Sequence, residues 1–184
     1  MTQIKDATGT GKSLKVTDEN RAATDSVSRS ITQHINEIYE KHFSITFDAI
    51  DPTGADDYFL YFKNTGTKNI HLTKFRLRST VVGSVELHRV TGTASSGTTL
   101  TPVNRFLGST NAVTSTIETD PNFTGLSEAG VLIRLRLDTV DKDYTVDAPS
   151  HIIIPPGQAI AGLWDAATGA LSGTVDFYED QGVN

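Results

Sequence analysis

The spacing of apolar residues changes once along this chain, near residue 42. Before that point, β-branched residues recur at helical intervals, and after it apolar and polar residues alternate in short runs. A repeat near 3.6 residues predicts an amphipathic helix, and a repeat of two predicts half-buried strands. The pattern therefore predicts one helix followed by an all-β domain.

The helix is predicted over residues 18–41. Thr17 can cap its N-terminus, and Asp18 and Glu19 place negative charge in the first turn, where the helix dipole favours it. Its apolar residues form one narrow stripe: Val27, Ile31, Ile35 and Ile38. This stripe can pack on the chain's own sheet or against another protein chain, and the spacing alone favours neither.

Some eight short strands are predicted after residue 42, rich in Val, Ile, Phe and Tyr and separated by turn residues. The runs cover 43–47, 58–62, 70–82, 84–90, 111–118, 131–137, 151–154 continuing into 159–164, and 173–178. The alternation slips near Lys74, which predicts an irregularity in that strand. Many short strands with turns between them are typical of an antiparallel sandwich or barrel.

Residues 1–17 are rich in Gly, Thr, Ser and Lys. Such a segment buries too little apolar surface to fold alone, so we expect an arm that becomes ordered against a partner. Leu14 and Val16 in the arm, together with the helix stripe, are the predicted protein-interface residues. The predicted division is an arm and helix at 1–42 and a β-sandwich at 43–184.

The composition narrows the function classes. The 184 residues carry a formal net charge of −6 and no cysteine. Affinity for nucleic acid comes from concentrated Lys and Arg, so this balance argues against a nucleic-acid partner. The lack of cysteine excludes disulfides and thiolate chemistry. No apolar signal segment and no run of about 18 apolar residues is found, so neither export nor a membrane span is expected.

Motifs that could support catalysis are weak. The segment Ala7–Ser13 resembles a phosphate-binding loop, but Asp6 stands where that motif requires glycine, and no apolar strand precedes it. No serine lies in a Gly-x-Ser-x-Gly elbow. We therefore interpret the segment as part of the arm and predict that the chain is not an enzyme and needs no cofactor.

The histidines show no zinc-motif spacing; they are His34, His42, His71, His88 and His151. Some fall on predicted strands, which can converge on a metal, but we interpret them as structural and predict no metal site. A turn containing Asp51, Asp56 and Asp57 is interpreted as turn chemistry rather than a calcium site. Trp164 is predicted to be a core residue rather than a sugar-stacking platform.

Several segments resemble the jelly-roll capsid decoration, or cement, proteins of tailed bacteriophages. They are Ala7–Val16 leading into Glu19–Arg21, then Tyr58–Asn64, Leu100–Ser109, Ile152–Gln158 and Gly173–Glu179. The resemblance implies a homotrimeric jelly roll on the capsid surface of a virion, assembled in the host cytoplasm. Its arm would lie across neighbouring subunits of the major capsid protein and brace the shell. The family has no catalytic residues to carry over.

The expected fold is therefore all-β: a jelly-roll-like antiparallel β-sandwich of about eight strands, preceded by an extended N-terminal arm and one α-helix. Two rival functions stay open. Jelly-roll proteins of phage tails and fibres share the same turn chemistry, so a receptor-binding or carbohydrate-binding sandwich is the alternative. A metal-dependent enzyme using strand histidines is the third hypothesis.

Overall fold

The computed structural model describes residues 4–5, 13–14, 33, 35–166 and 168–180. For residues 4–5, 13–14 and 148–151, it describes only the backbone. The chain forms two compact units, residues 1–30 and 31–184. In the first, strand β1 (Ile4–Lys5) pairs antiparallel with β2 (Ser13–Leu14). The second unit thus begins inside the segment predicted as helix.

The second unit opens with a π-helical segment, Ile35–Tyr39. Glu40 ends it with a positive φ of 53°, a left-handed conformation that commonly terminates helices. Its amide donates a hydrogen bond to the carbonyl of Asn36 at 3.2 Å. The remainder of the predicted helix, apart from Gln33, lies outside the described residues.

The strands that follow make up most of the described chain. They are β3 (His42–Ile50), β4 (Asp57–Asn64), β5 (Ile70–Ser79), β6 (Gly83–Gly92), β7 (Thr98–Thr99), β8 (Val103–Asn104), β9 (Ser115–Thr119), β10 (Leu126–Leu137), β11 (Tyr144–Ile154), β12 (Ala159–Trp164) and β13 (Leu171–Glu179). They form a six-stranded sheet in the order β10-β6-β12-β4-β9-β7 and a five-stranded sheet in the order β11-β5-β13-β3-β8. All strand pairings among the described residues of these two sheets are antiparallel.

The order of the eight long strands is that of a jelly roll. Counted along the chain, the first, third, sixth and eighth long strands lie in the five-stranded sheet, and the second, fourth, fifth and seventh lie in the six-stranded sheet. The chain therefore passes back and forth between two sheets in a double Greek key. The predicted antiparallel sandwich is confirmed. The short strands β7, β8 and β9 all come from the long connection between β6 and β10.

The main core lies between the sheets and is built by alternation. In β3, for example, Phe43, Ile45 and Phe47 are buried and the intervening residues are more exposed. Trp164 is fully buried, and its indole nitrogen donates a hydrogen bond to the carbonyl of Thr168 at 3.2 Å. The prediction that Trp164 is a core residue is confirmed.

A second, smaller apolar cluster explains why β4 is apolar on both faces. Phe59, Leu60 and Phe62 belong to the main core, whereas Tyr61 packs in the smaller cluster with Phe123. The connection between β9 and β10 supplies Phe123. Within the described residues, no helix is long and apolar enough to cross a membrane.

Candidate functional site

The predicted interface residues of the helix stripe differ in exposure where they are described. Ile35 exposes 5% of its surface and Ile38 exposes 54%. The two side chains are three residues apart in a π-helical segment and have different environments. Leu14 lies in β2, opposite Ile4 in β1. The other predicted interface residues lie outside the described residues: Val16, Val27 and Ile31.

Exposed apolar side chains gather where the chain enters the sandwich. We name this surface the entry patch; its residues are Ile38, Tyr39, Val103, Phe106 and Leu107. Leu107 is the most exposed, at 89%. Ser109 donates its amide to the carbonyl of Phe106 at 3.1 Å, so a tight turn presents Phe106 and Leu107 outward. Grouped apolar side chains on a surface commonly mark a protein contact.

Two asparagines connect the two segments of the entry patch, the π-helical segment and the loop after β8. The Nδ2 of Asn104 donates to the carbonyl of Glu40 at 2.7 Å, and its Oδ1 accepts the amide of Phe106 at 2.9 Å. The Nδ2 of Asn111 donates to the carbonyl of Tyr39 at 3.2 Å. Side-chain bonds to backbone replace a regular strand ladder here, so the loop after β8 is fixed against the π-helical segment.

Arg105 anchors the same loop to the five-stranded sheet. Its Nη1 lies 2.8 Å from Oδ2 of Asp176, a β13 residue whose side chain is 5% exposed. Arg76 approaches the same oxygen at 3.9 Å. The backbone amide of Arg105 also donates to the carbonyl of His42 at 2.8 Å. Separation of this pair would leave a desolvated carboxylate, so the ion pair favours one position of the loop.

Three ring-bearing residues form a row across the sheet beside this anchor. Tyr178 lies between His42 and His71 in the strand register, and the rings of Tyr178 and His71 stack with centroids 4.6 Å apart. Burial, followed by the charge of Arg105, lowers the pKa of His42, which Asp176 opposes. Burial also raises the pKa of Tyr178, with a contribution from Asp180. The row favours neutral forms of His42 and Tyr178.

On the six-stranded sheet, His88 lies between two carboxylates. Its Nε2 is 3.0 Å from Oε2 of Glu86, and its Nδ1 is 3.6 Å from Oε1 of Glu128. Arg134 also pairs with Glu86, and the ring of Tyr58 meets His88 edge-on at 5.7 Å. Burial raises the pKa of Tyr58, and the two glutamates add to the effect. The network connects β4, β6 and β10.

The described histidines do not converge. His42 and His71 lie on the five-stranded sheet and His88 on the other; His34 and the side chain of His151 lie outside the description. Among the described residues, no group of three or more His, Asp or Glu residues could hold a metal ion.

The acidic turn after β3 has structural partners. An oxygen of Asp51 accepts the amide of Gly169 at 3.1 Å, and one of Asp57 accepts the hydroxyl of Thr53 at 2.8 Å. Asp56 has a positive φ of 65°, which Asp tolerates better than most residues in turns. These contacts match the turn chemistry expected from the sequence.

Most of the entry patch was not among the residues predicted to form an interface. The available signal was the apolar pair Phe106–Leu107, placed between Arg105 and Gly108 in a segment without strand alternation. Neighbouring apolar residues in a loop can form an exposed apolar surface, which commonly marks a contact site. Its proximity to Ile38 depends on the fold and was not visible in the sequence.

Comparison of the chain with protein-family models, with curated proteins and with solved structures found no match. What the chain does must therefore be inferred from its residues and their arrangement.

Proposed function

We propose that this chain is a structural virion protein, a decoration protein that binds the major capsid protein lattice of a tailed phage and stabilises the shell. It acts through surface contact and makes or breaks no bond. The observation that carries the proposal is the entry patch, an exposed apolar surface held in place on a jelly-roll sandwich.

The entry patch is built as a rigid contact surface. Leu107 would lose its exposed surface on docking, and burying a leucine side chain stabilises a contact by about 1.5–3 kcal/mol. The asparagine bonds and the Arg105–Asp176 pair hold the loop before any partner arrives. A surface fixed in advance loses less conformational entropy on binding.

The N-terminal arm extends the proposed contact. Residues 1–17 contain Lys5, Lys12 and Lys15 against Asp6, while the whole chain carries a net charge of −6. A locally basic segment of low apolar content suits binding across an acidic protein surface. We further propose a homotrimer, because three copies would multiply weak arm contacts through effective concentration.

The carbohydrate-binding alternative has lost its main candidate residue. A sugar platform requires an exposed aromatic face, and the only tryptophan, Trp164, is fully buried. The entry patch carries Tyr39 and Phe106, but the side chains of Asn104 and Arg105 beside it already bond other parts of the chain. A protein partner fits this surface better.

Binding to capsids tests the proposal. Heads of the phage that encodes the chain, assembled without it, are mixed with purified protein, and bound protein is measured by co-sedimentation. We expect saturable binding by the wild type and at least about tenfold weaker binding by Leu107→Ser, because that variant removes the most exposed apolar side chain of the patch.

Val140→Ser is the matched control. Val140 is also exposed, at 48%, but lies in the β10–β11 loop, whose Asp141 amide bonds the carbonyl of Ser79 at the opposite end of the five-stranded sheet. This variant should bind like the wild type. Absence of wild-type binding, or equal losses in both variants, would contradict the proposal.

A further inference from the structure

A second apolar surface lies on the open side of the sandwich, between the edge strands β10 and β11. It is a groove of about 460 Å³ that includes residues of both sheets. Its apolar lining includes Leu132, Ile152, Ile154, Pro155 and Ile160, and its polar lining residues are Arg89 and Gln158. The groove is separate from the entry patch, which lies beside β8 at the other edge of the five-stranded sheet.

We propose that this groove binds an aliphatic carboxylate of medium chain length, with the alkyl chain along the exposed Leu132 and Ile153 and the carboxylate on Arg89. The volume falls within the range of about 300–1,000 Å³ that is usual for small-molecule sites. This binding activity is additional to the proposed contact with capsids and does not depend on it.

The apolar lining accounts for the alkyl chain. Leu132 exposes 44% of its surface, although its neighbours in the groove are isoleucines, alanine and proline. Leu132 occupies a bulge of β10, where the register with β6 skips from Val131 to Ile133. The bulge interrupts the alternation of the strand, and Leu132 lines the groove. A bound alkyl chain would cover this surface.

The charge of Arg89 accounts for the carboxylate. Its Nη2 is 3.4 Å from Oε1 of Gln158, and among the described residues no carboxylate pairs with it. Every other described arginine of β6 and β10 has such a partner: Arg134 pairs with Glu86, and Arg136 with Asp138. A guanidinium presents paired donors that match a carboxylate, and an apolar surrounding strengthens that bond.

Titration with octanoate tests the site directly. Amide chemical shifts and calorimetry are followed on the full chain, with 1-octanol and octylammonium as probes of equal chain length. We expect octanoate to bind at least about tenfold more tightly than either probe, with shifts concentrated at residues 130–133 and 152–160. Equal affinity for the three probes, or no saturation by octanoate, would overturn the proposal.

Substitutions in the groove make the test specific. Arg89→Gln should abolish the preference for octanoate, because it removes the charge at an exposed position without disturbing the core. Leu132→Glu places a carboxylate beside Arg89 and should eliminate octanoate binding, whereas Leu132→Gln should retain it. Arg78→Gln, an exposed arginine of β5, is the matched control and should bind as the wild type.

Self-association is the competing use of such a surface. Sedimentation velocity of the wild type and of Leu132→Glu, with and without octanoate, decides between them. An unchanged oligomeric state in all four samples supports a small-molecule site. Dissociation caused by Leu132→Glu alone would overturn the proposal and show that a second copy of the chain occupies the groove. Capsid binding by the wild type and by Leu132→Glu would leave the proposed function intact.

Discussion

Asp176 is the residue at which the charged side chains of the five-stranded sheet converge. Its side chain is 5% exposed, and it has Arg105 at 2.8 Å and Arg76 at 3.9 Å, both on the same oxygen. The other oxygen, Oδ1, is buried and has no hydrogen-bond partner. A carboxylate placed in this way depends on its arginines, because solvent cannot take their place.

Loss of the charge at Asp176 should therefore destabilise the fold. We expect Asp176→Asn to lower the free energy of unfolding by about 1–3 kcal/mol, less than for a fully buried pair because Arg105 is partly exposed. A double-mutant cycle with Arg105→Met, measured by urea denaturation, gives the coupling between the two side chains. Strictly additive effects would show that the pair does not hold the loop.

A second residue-scale prediction concerns His42 and pH. Burial and Arg105 lower its pKa, so the folded protein takes up the proton less readily than the unfolded chain, whose histidine titrates near 6.5. The free energy of unfolding therefore falls as the pH drops below that value. His42→Gln should lose less stability than the wild type between about pH 7.5 and about pH 5. Urea midpoints at both pH values measure this, and equal losses would refute it.

At the scale of elements, β6 and β12 of the six-stranded sheet are closely packed where β12 ends. Trp164 ends β12, and Gly83 begins β6 beside it. A Cβ at Gly83 would collide with the Trp164 ring, at 2.7 Å from Cζ2. The ring is fully buried and has little room to move aside, so glycine is required by the close approach of the indole ring.

Gly83→Ala should thus destabilise the sandwich. We expect a loss of about 1–3 kcal/mol from overpacking, followed through the fluorescence of Trp164 during denaturation. Gly54→Ala is the control, because its added Cβ would have the Asp57 carboxylate as nearest neighbour, at 3.4 Å. That variant should stay within about 0.5 kcal/mol of the wild type. A tolerated alanine at position 83 would mean that the Trp164 ring can move aside.

The sequence predicted the positions of individual strands better than it predicted which strands pair with each other. Alternation located β3, β6 and β13, and the slip near Lys74 matches the place where the register between β5 and β13 skips Thr73. Sheet order depends on contacts between distant segments, which no local pattern contains. The strands β7 and β8 are two residues long, too short for any period to show.

Only part of the candidate site could be predicted, because it too depends on contacts between distant segments. Ile38 was found because it continues a helical stripe, but its neighbours in the entry patch come from a loop more than sixty residues later in the chain. The role of Arg89 was not predicted, because an arginine in a strand ordinarily lies on the solvent-exposed face. That no carboxylate among the described residues pairs with Arg89 becomes visible only when β6, β10 and β12 are assembled.

At the scale of the whole molecule, the sandwich has two unlike ends. The chain enters at β3 and leaves at β13, and these strands pair side by side, with Lys41 and Glu179 2.8 Å apart. The entry patch and the groove both lie toward that end, since Ile154, Ile70 and Glu179 share it in the strand register. The opposite end carries the acidic turn after β3 and the β10–β11 loop.

Removal of residues 1–30 should leave the sandwich folded. The compact second unit begins at Ile31, so a fragment of residues 31–184 should unfold cooperatively, with a midpoint within a few degrees of the full chain. A fragment of residues 43–184 should be less stable, because it loses the Lys41–Glu179 pair and the bond from Asn104 to Glu40. Thermal unfolding followed by circular dichroism compares the two. Identical midpoints would show that residues 31–42 contribute nothing.

Because β3 and β13 pair side by side, both termini of the sandwich lie at the same end, which determines where a fused peptide would emerge. A cargo fused at either terminus of the sandwich would emerge at the end that carries the entry patch, where it would compete with the proposed docking. A tag inserted at Val140 would emerge from the far end, where Asp141 bonds Ser79 and Gly169 bonds Asp51. If the chain decorates capsids as proposed, that loop is the site from which a displayed peptide would point outward.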